Sequence, residues 1–220
     1  MRSVSMKRAV PPIAFILAVL PQASSGRSTL PVSIMRADTG RFVIAPEGTE
    51  ARYRVREQLA GIDFPSDAVG KTTQVQGRIV VDPKGAIVQQ ESKFTVDMAS
   101  LTTDSDRRDN FVRRNTLQTA QYATAVFVPR EFRGLRFPLA ASGDVTFQIV
   151  GDLTVRDQTR PATWDVTAKL TQGAITGKAN TKFTFADFGM TKPRVRSVLS
   201  VDDDIKLELD FRLVPAAAGN

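Results

Sequence analysis

Regular alternation of apolar and polar residues between Gly143 and Leu170 is the feature that most restricts the fold. The first half carries its apolar side chains at odd positions, which are Val145, Phe147, Ile149, Leu153 and Val155. The second half carries them at even positions, which are Trp164, Val166, Ala168 and Leu170. A period of two residues gives a strand one buried and one wet face. Turn-forming residues at 157–161 separate the two runs, so the stretch predicts a long antiparallel hairpin.

Similar runs recur along most of the chain. They predict further strands at residues 41–44, 51–59, 72–81, 86–98, 123–132, 174–185 and 205–214. About eight such strands with no second helical layer can form either a closed barrel or a two-sheet sandwich. A barrel of about eight strands is just wide enough to be filled by its own side chains or to hold one small ligand.

Three segments interrupt the strand pattern. Residues 60–70 combine glycine and proline with apolar side chains, which favours a loop that plugs or covers one end of the sheet. Residues 104–114 are predicted to form a short helix, with Thr103 and Asp106 as a capping box. Residues 186–204 are predicted to form a long loop.

Two absences from the composition limit the chemistry of the chain. It has 220 residues but no Cys and no His, so disulfides, thiol catalysis and histidine-based metal or acid–base sites are excluded. The formal charge of +7 is scattered along the chain, which gives no indication of nucleic-acid binding.

The first 25 residues have the layout of a secretory signal peptide. Arg2, Lys7 and Arg8 precede the apolar run of residues 13–20, and Ala23 and Ser25 are small residues suited to cleavage. The apolar run is much shorter than the ~20 residues that cross a bilayer, so no transmembrane segment is expected in the mature chain. Removing residues 1–25 lowers the formal charge from +7 to +4.

Several motifs in order resemble the YceI-like family of bacterial exported proteins. The matching stretches are residues 75–82 with Gly85, 100–104 followed by Arg108 and Asp109, 143–147, 151–155, 159–161, Trp164 and 185–189. The family often has His after the Arg-Asp pair, where this chain has Asn110. The resemblance implies an all-β fold, an elongated antiparallel eight-stranded lipocalin-like barrel with one short helix. It also implies polyisoprenoid binding, since several members are associated with it.

The domain boundaries follow from these observations. We expect a signal peptide at residues 1–25, an N-terminal arm at 26–40, the barrel at 41–215 and a C-terminal tail at 216–220. The mature protein is expected to be periplasmic or secreted.

The candidate site has an apolar and a basic part. In-phase apolar residues of the strands either fill a core or line a lipid tunnel, and the resemblance favours the tunnel; they are Val55, Val145, Phe147, Ile149, Phe183, Phe185, Leu207, Leu209 and Phe211. A diphosphate head group would prefer guanidinium groups at the rim. The richest source is the predicted helix, with Arg107, Arg108, Arg113 and Arg114, and Arg194 with Arg196 comes second.

Two other kinds of chemistry can be read from acidic residues. Asp104, Asp106 and Asp109, or the three aspartates at 202–204, could suggest calcium, but neither group has the spacing of an EF-hand loop. Glu57 lies on an otherwise apolar face and could be a general acid, although no partner carboxylate is evident.

The sequence therefore predicts a non-enzymatic protein that sequesters or carries a polyisoprenoid or similar lipid, with no metal or other cofactor. A protein-interaction or stress factor with a packed core is the first alternative, and a carboxylate-dependent envelope hydrolase is the second. The sequence leaves open whether the chain is a monomer or a homodimer.

Overall fold

A computed structural model describes residues 40–216, which form an antiparallel β-barrel. The strand segments are β1 (Gly40–Ile44), β2 (Glu50–Leu59), β3 (Ser66–Thr72), β4 (Val75–Val81), β5 (Lys93–Asp97), β6 (Thr124–Arg133), β7 (Gly143–Val155), β8 (Gln158–Leu170), β9 (Ile175–Thr184) and β10 (Val198–Pro215). The predicted signal peptide, nearly all of the predicted arm and residues 217–220 lie outside the described residues.

Ten segments make eight strands because two strands are interrupted. β1 and β2 follow one another and both pair with β10, while β4 pairs with β1 and β3 with β2. β1–β2 and β3–β4 are thus two broken strands at the seam of the barrel. The remaining strands pair in chain order from β4 to β10, and β10 returns to β1, which closes the eight-stranded barrel. The predicted fold class is confirmed.

The meander places the loops at two ends of the barrel. We call "helix end" the end formed by residues 60–65, 98–123, 156–157 and 185–197. The opposite end is formed by residues 82–92, 134–142 and 171–174. Among residues 40–216, no helix is long and apolar enough to span a bilayer.

Two predicted loops are partly strand. Residues 66–70, predicted as loop, belong to β3, and residues 198–204 begin β10. Both segments pair with β2, whose alternation was evident in the sequence. The alternation of apolar and polar residues is obscured in both segments. In β10 the register shifts between Val201 and Ile205, which interrupts the period of two, and β3 begins with exposed polar residues. Cross-strand pairing therefore overrides weak local patterns here.

The hairpin of β7 and β8 turns earlier than predicted. Its thirteen register pairs run from Gly143 with Leu170 to Val155 with Gln158, so Arg156 and Asp157 alone form the turn. Arg156 has a φ of 58°, the left-handed conformation that two-residue hairpin turns require. Pro161 lies within β8 opposite Asp152 rather than in the corner.

The short helix begins later and is capped differently from the prediction. Helix α1 (Asp106–Phe111) continues into a π-helical turn at Val112–Thr116. Its N-cap is Ser105, whose hydroxyl accepts from the Arg108 amide at 3.4 Å. Thr103 instead donates to Asp109 at 2.7 Å, and its amide also donates to the same carboxylate oxygen at 2.9 Å. The predicted capping box is therefore wrong, because the buried Asp109 takes both Thr103 donors.

Candidate functional site: an apolar cavity inside the barrel

The barrel encloses a cavity of about 990 Å³. Its wall is mainly aliphatic and aromatic and receives side chains from all ten strand segments. Residues near both ends contribute, from Leu59 and Ile62 at the helix end to Leu170 and Leu213 at the opposite end. The space is therefore elongated along the barrel, at the upper end of the roughly 300–1,000 Å³ typical of ligand pockets.

All nine residues of the predicted tunnel lie on the wall of this cavity. Val55 comes from β2, and the other eight come from β7, from β9 with the residue after it, and from β10; these are Val145, Phe147, Ile149, Phe183, Phe185, Leu207, Leu209 and Phe211. Their phase in the strands was the signal that placed them on the inner face. Their contact with a ligand stays a prediction.

Glycines under aromatic rings help to keep the barrel hollow. Gly70 is paired with Tyr53 across β3 and β2, and the Tyr53 ring lies where a Cβ on Gly70 would stand. The rings of Phe94 and Phe211 cover Gly77 and Gly177 in the same way. Because each ring lies against backbone that has no side chain, it can pack along the wall instead of filling the centre.

Loop residues that periodicity could not find also line the cavity. At the opposite end the loop between β6 and β7 contributes Leu135, Phe137 and Leu139. The Phe137 ring packs on Phe132, with ring centroids 5.8 Å apart, and covers Gly85. These side chains follow no strand or helix period, so only their apolar character within a loop could have indicated them.

The cavity reaches solvent at the helix end. Ile62, Arg107 and Arg114 line it and are also exposed, which indicates that the cavity opens among these residues. At the opposite end, by contrast, Leu135, Phe137 and Leu139 are partly buried. We call the opening beside α1 the mouth.

The four predicted rim arginines separate into two pairs. Arg107 and Arg114 are exposed and line the cavity at the mouth. Arg108 also lines the cavity, but it is bound to carboxylates of Glu57 and Asp104. Arg113 donates to the Leu101 carbonyl at 3.0 Å and is not among the residues that line the cavity. The structure thus brings Arg107 and Arg114 to the mouth, where neither guanidinium group forms an ion pair or a side-chain hydrogen bond within residues 40–216.

Glu57 is part of a buried ion pair. Its side chain is 8% exposed, and its Oε1 accepts from the Arg108 guanidinium at 2.6 Å. Burial opposes the charge on Arg108, but Glu57 and Asp104 outweigh it and raise the pKa of the guanidinium. Glu57 is therefore held by a cation, unlike the isolated general acid considered from the sequence.

Tyr53 lies on the same strand as Glu57, four residues earlier, and also lines the cavity. Burial, followed by the negative charge of Asp109, raises the pKa of its phenol to about 12. The phenol therefore stays neutral at physiological pH.

The aspartates considered for calcium have other roles. Asp109 is buried and accepts the two Thr103 hydrogen bonds, while Asp104 pairs with Arg108. In β10, Asp203 pairs with Lys192 of the preceding loop, and Asp204 pairs with Lys182 of β9. Within residues 40–216, no three acidic side chains come together as a metal site.

A closed eight-stranded barrel with an internal apolar cavity defines a protein of the lipocalin-like class. The family model of the YceI-like domain matches residues 42–213, so the chain belongs to this family. No curated protein matches the sequence.

Solved structures share the fold at low sequence identity. A polyisoprenoid binding domain from Saccharophagus degradans, implicated in plant cell wall breakdown, superposes with a TM-score of 0.63 at 12% identity, covering 80% of this chain and 98% of that one. BcnA from Burkholderia cenocepacia gives 0.58 at 14% identity, covering 77% and 98%. The YCEI protein from Campylobacter jejuni gives 0.53 at 16%, covering 73% and 91%.

Proposed function

We propose that the protein binds a long-chain amphipathic lipid, a polyisoprenoid, with its tail in the cavity and its polar end at the mouth. The observation that carries this proposal is the elongated apolar cavity of about 990 Å³. If each CH2-sized unit occupies about 30 Å³, as one molecule of liquid water does, the cavity accommodates a chain of roughly 33 carbons. The Saccharophagus degradans domain, described as polyisoprenoid binding, supports the choice of lipid.

The cavity also supports carriage rather than catalysis. Each buried methylene contributes about 0.8 kcal/mol, so an apolar tail alone supplies ample affinity. Glu57, the acid considered for hydrolysis, is bound to Arg108. The alternative of a protein-interaction factor with a packed core is disfavoured by the space in the barrel. Together with the predicted signal peptide, this favours lipid sequestration or transport in the bacterial envelope.

The first experiment is native mass spectrometry of the mature protein purified from its own envelope, followed by organic extraction. A stoichiometric isoprenoid gives tail length and head group, and the N-terminal mass locates the cleavage site. An empty protein that also fails to take up added isoprenoids contradicts the proposal.

A pair of variants on β9 tests whether the tail lies inside the barrel. Ala179 is buried and lines the cavity, so Ala179→Phe should reduce isoprenoid uptake by filling part of the space. Its neighbour Asn180 is exposed, so Asn180→Phe adds the same ring outside and should leave uptake unchanged. Equal uptake by both variants would place the lipid outside the cavity.

We further propose that Arg107 and Arg114 bind an anionic head group. Replacing both by Gln should weaken binding of an isoprenyl diphosphate more than that of the corresponding alcohol, because only the diphosphate accepts charged hydrogen bonds. Arg136→Gln, an exposed change at the opposite end, is the control. Equal losses for diphosphate and alcohol contradict the assignment.

A further inference from the structure

Three large apolar side chains are strongly exposed within residues 40–216, and all lie at the helix end. Ile62 and Phe64, in the turn between β2 and β3, are 52% and 79% exposed, and Leu199 at the start of β10 is 68% exposed. The two segments adjoin, since Val198 pairs with Leu59. We call Ile62, Phe64 and Leu199 the apolar rim.

The apolar rim is continuous with the cavity mouth. Ile62 belongs to the rim and to the cavity wall, and Val198, next to Leu199, lines the cavity as well. The Ala60 amide donates to the Ser197 carbonyl at 3.0 Å, which fixes the turn to the strand that carries Leu199. An apolar path therefore runs from inside the barrel to its outer edge. Exposed apolar surface at such a position indicates contact with an apolar partner.

Basic side chains accompany the rim. In the part of the chain that the structure describes, four cations of the helix end form neither an ion pair nor a side-chain hydrogen bond: Arg107, Arg114, Arg194 and Arg196. Arg113 and Arg156 also lack an ion pair there, but their guanidinium groups donate to the carbonyls of Leu101 and Gly189. Asp63, which lies between Ile62 and Phe64 in the sequence, places one acidic residue beside the apolar rim. The combination of exposed aromatic and aliphatic groups with free guanidinium groups is typical of surfaces that lie on anionic bilayers.

We propose that the apolar rim docks on a lipid bilayer carrying anionic head groups, and that the lipid cargo passes between bilayer and cavity there. This inference depends on the proposed function. A long tail cannot cross water readily, because each methylene exposed to water lowers the equilibrium population of the tail in water by about fourfold. A mouth pressed against the bilayer lets the tail leave one apolar phase for another. A second copy of the chain is a weaker candidate for the rim, because it would cover the mouth through which cargo passes.

Flotation of the full mature protein with vesicles tests the docking. The wild type should bind vesicles of phosphatidylcholine with phosphatidylglycerol, and more weakly vesicles of phosphatidylcholine alone. Phe64→Ser with Leu199→Ser should reduce the partition coefficient by on the order of tenfold or more. Phe64→Trp is the matched control, which should retain binding and show a blue shift of indole fluorescence on insertion. Arg194→Gln with Arg196→Gln should reduce the preference for anionic vesicles, because it removes two of the four unpaired cations.

A second measurement separates this inference from the proposed function. Phe64 and Leu199 do not line the cavity, so their serine variant should take up isoprenoid from detergent like the wild type, yet extract it more slowly from vesicles. Uptake from detergent by a wild type that does not bind vesicles overturns the docking alone. A wild type that self-associates but does not bind vesicles, together with a serine variant that no longer self-associates, would assign the rim to contact with a second copy. This result would also overturn the bilayer docking. No uptake from detergent contradicts the proposed function itself.

Discussion

Gly70→Ala tests whether aromatic rings lying over glycines keep the barrel hollow. A Cβ on Gly70 would stand 2.1 Å from Cε1, 2.5 Å from Cζ and 2.8 Å from the hydroxyl oxygen of Tyr53. Ordinary contact begins at 3.4 Å, so the ring must move by at least about 1.3 Å. The ring lines the cavity, and cavity space is where it can go. We expect overpacking to cost about 1–3 kcal/mol, with a fall in Tm of roughly 2–4 °C for each kcal/mol.

Thermal unfolding of the ligand-free protein measures this cost, and isoprenoid uptake measures the lost space. Gly173→Ala is the matched control, because a Cβ there meets nothing within 4 Å. In a Tyr53→Ala background, Gly70→Ala should cost little, since the ring it displaces is gone. A Gly70→Ala variant with the Tm and the uptake of Gly173→Ala would refute the idea that the ring lies over Gly70.

Three further predictions concern charged and titratable groups. Arg108→Ala leaves Glu57 buried without its cation and should lower the free energy of unfolding, measured in urea, by roughly 2–4 kcal/mol. Adding Glu57→Leu to this variant should recover much of the loss. Additive losses in the double variant would contradict the pairing. The raised pKa of Tyr53 keeps the folded phenol neutral, so the stability of the wild type relative to Tyr53→Phe should be constant below pH 10 and fall between pH 10 and about 12; parallel alkaline curves would contradict it. Hydrogen bonding by Arg54 lowers the pKa of Glu208 from its ordinary 4.5, so this carboxylate stabilises the fold above that pH and loses its contribution as the pH falls through the lowered value. Glu208→Gln should therefore show a shallower acid-induced loss of stability, and an unchanged slope would argue against the bond.

The strands were predictable wherever one face alternated without interruption. β7 alternates through Val145, Phe147 and Ile149, and β8 alternates from Trp164 to Leu170; their pairing follows the predicted hairpin. β3 was missed because Ser66 and Asp67 open it with polar residues, although its partner β2 was recognised. A strand whose local pattern is weak can form because its neighbour supplies hydrogen bonds, and this information is spread over distant residues.

Whether the interior is hollow could not be read from the same alternation. A packed core and a lined cavity both require apolar residues at every second position, so Phe211 or Leu209 would fit either one. The difference lies in pairs such as Gly177 with Phe211, where a residue without a side chain faces a ring across two strands. Recognising such a pair requires the register, which the sequence does not state. The four rim arginines show the same limit. Only the tertiary partners Glu57 and Leu101 distinguish the bound Arg108 and Arg113 from Arg107 and Arg114 at the mouth.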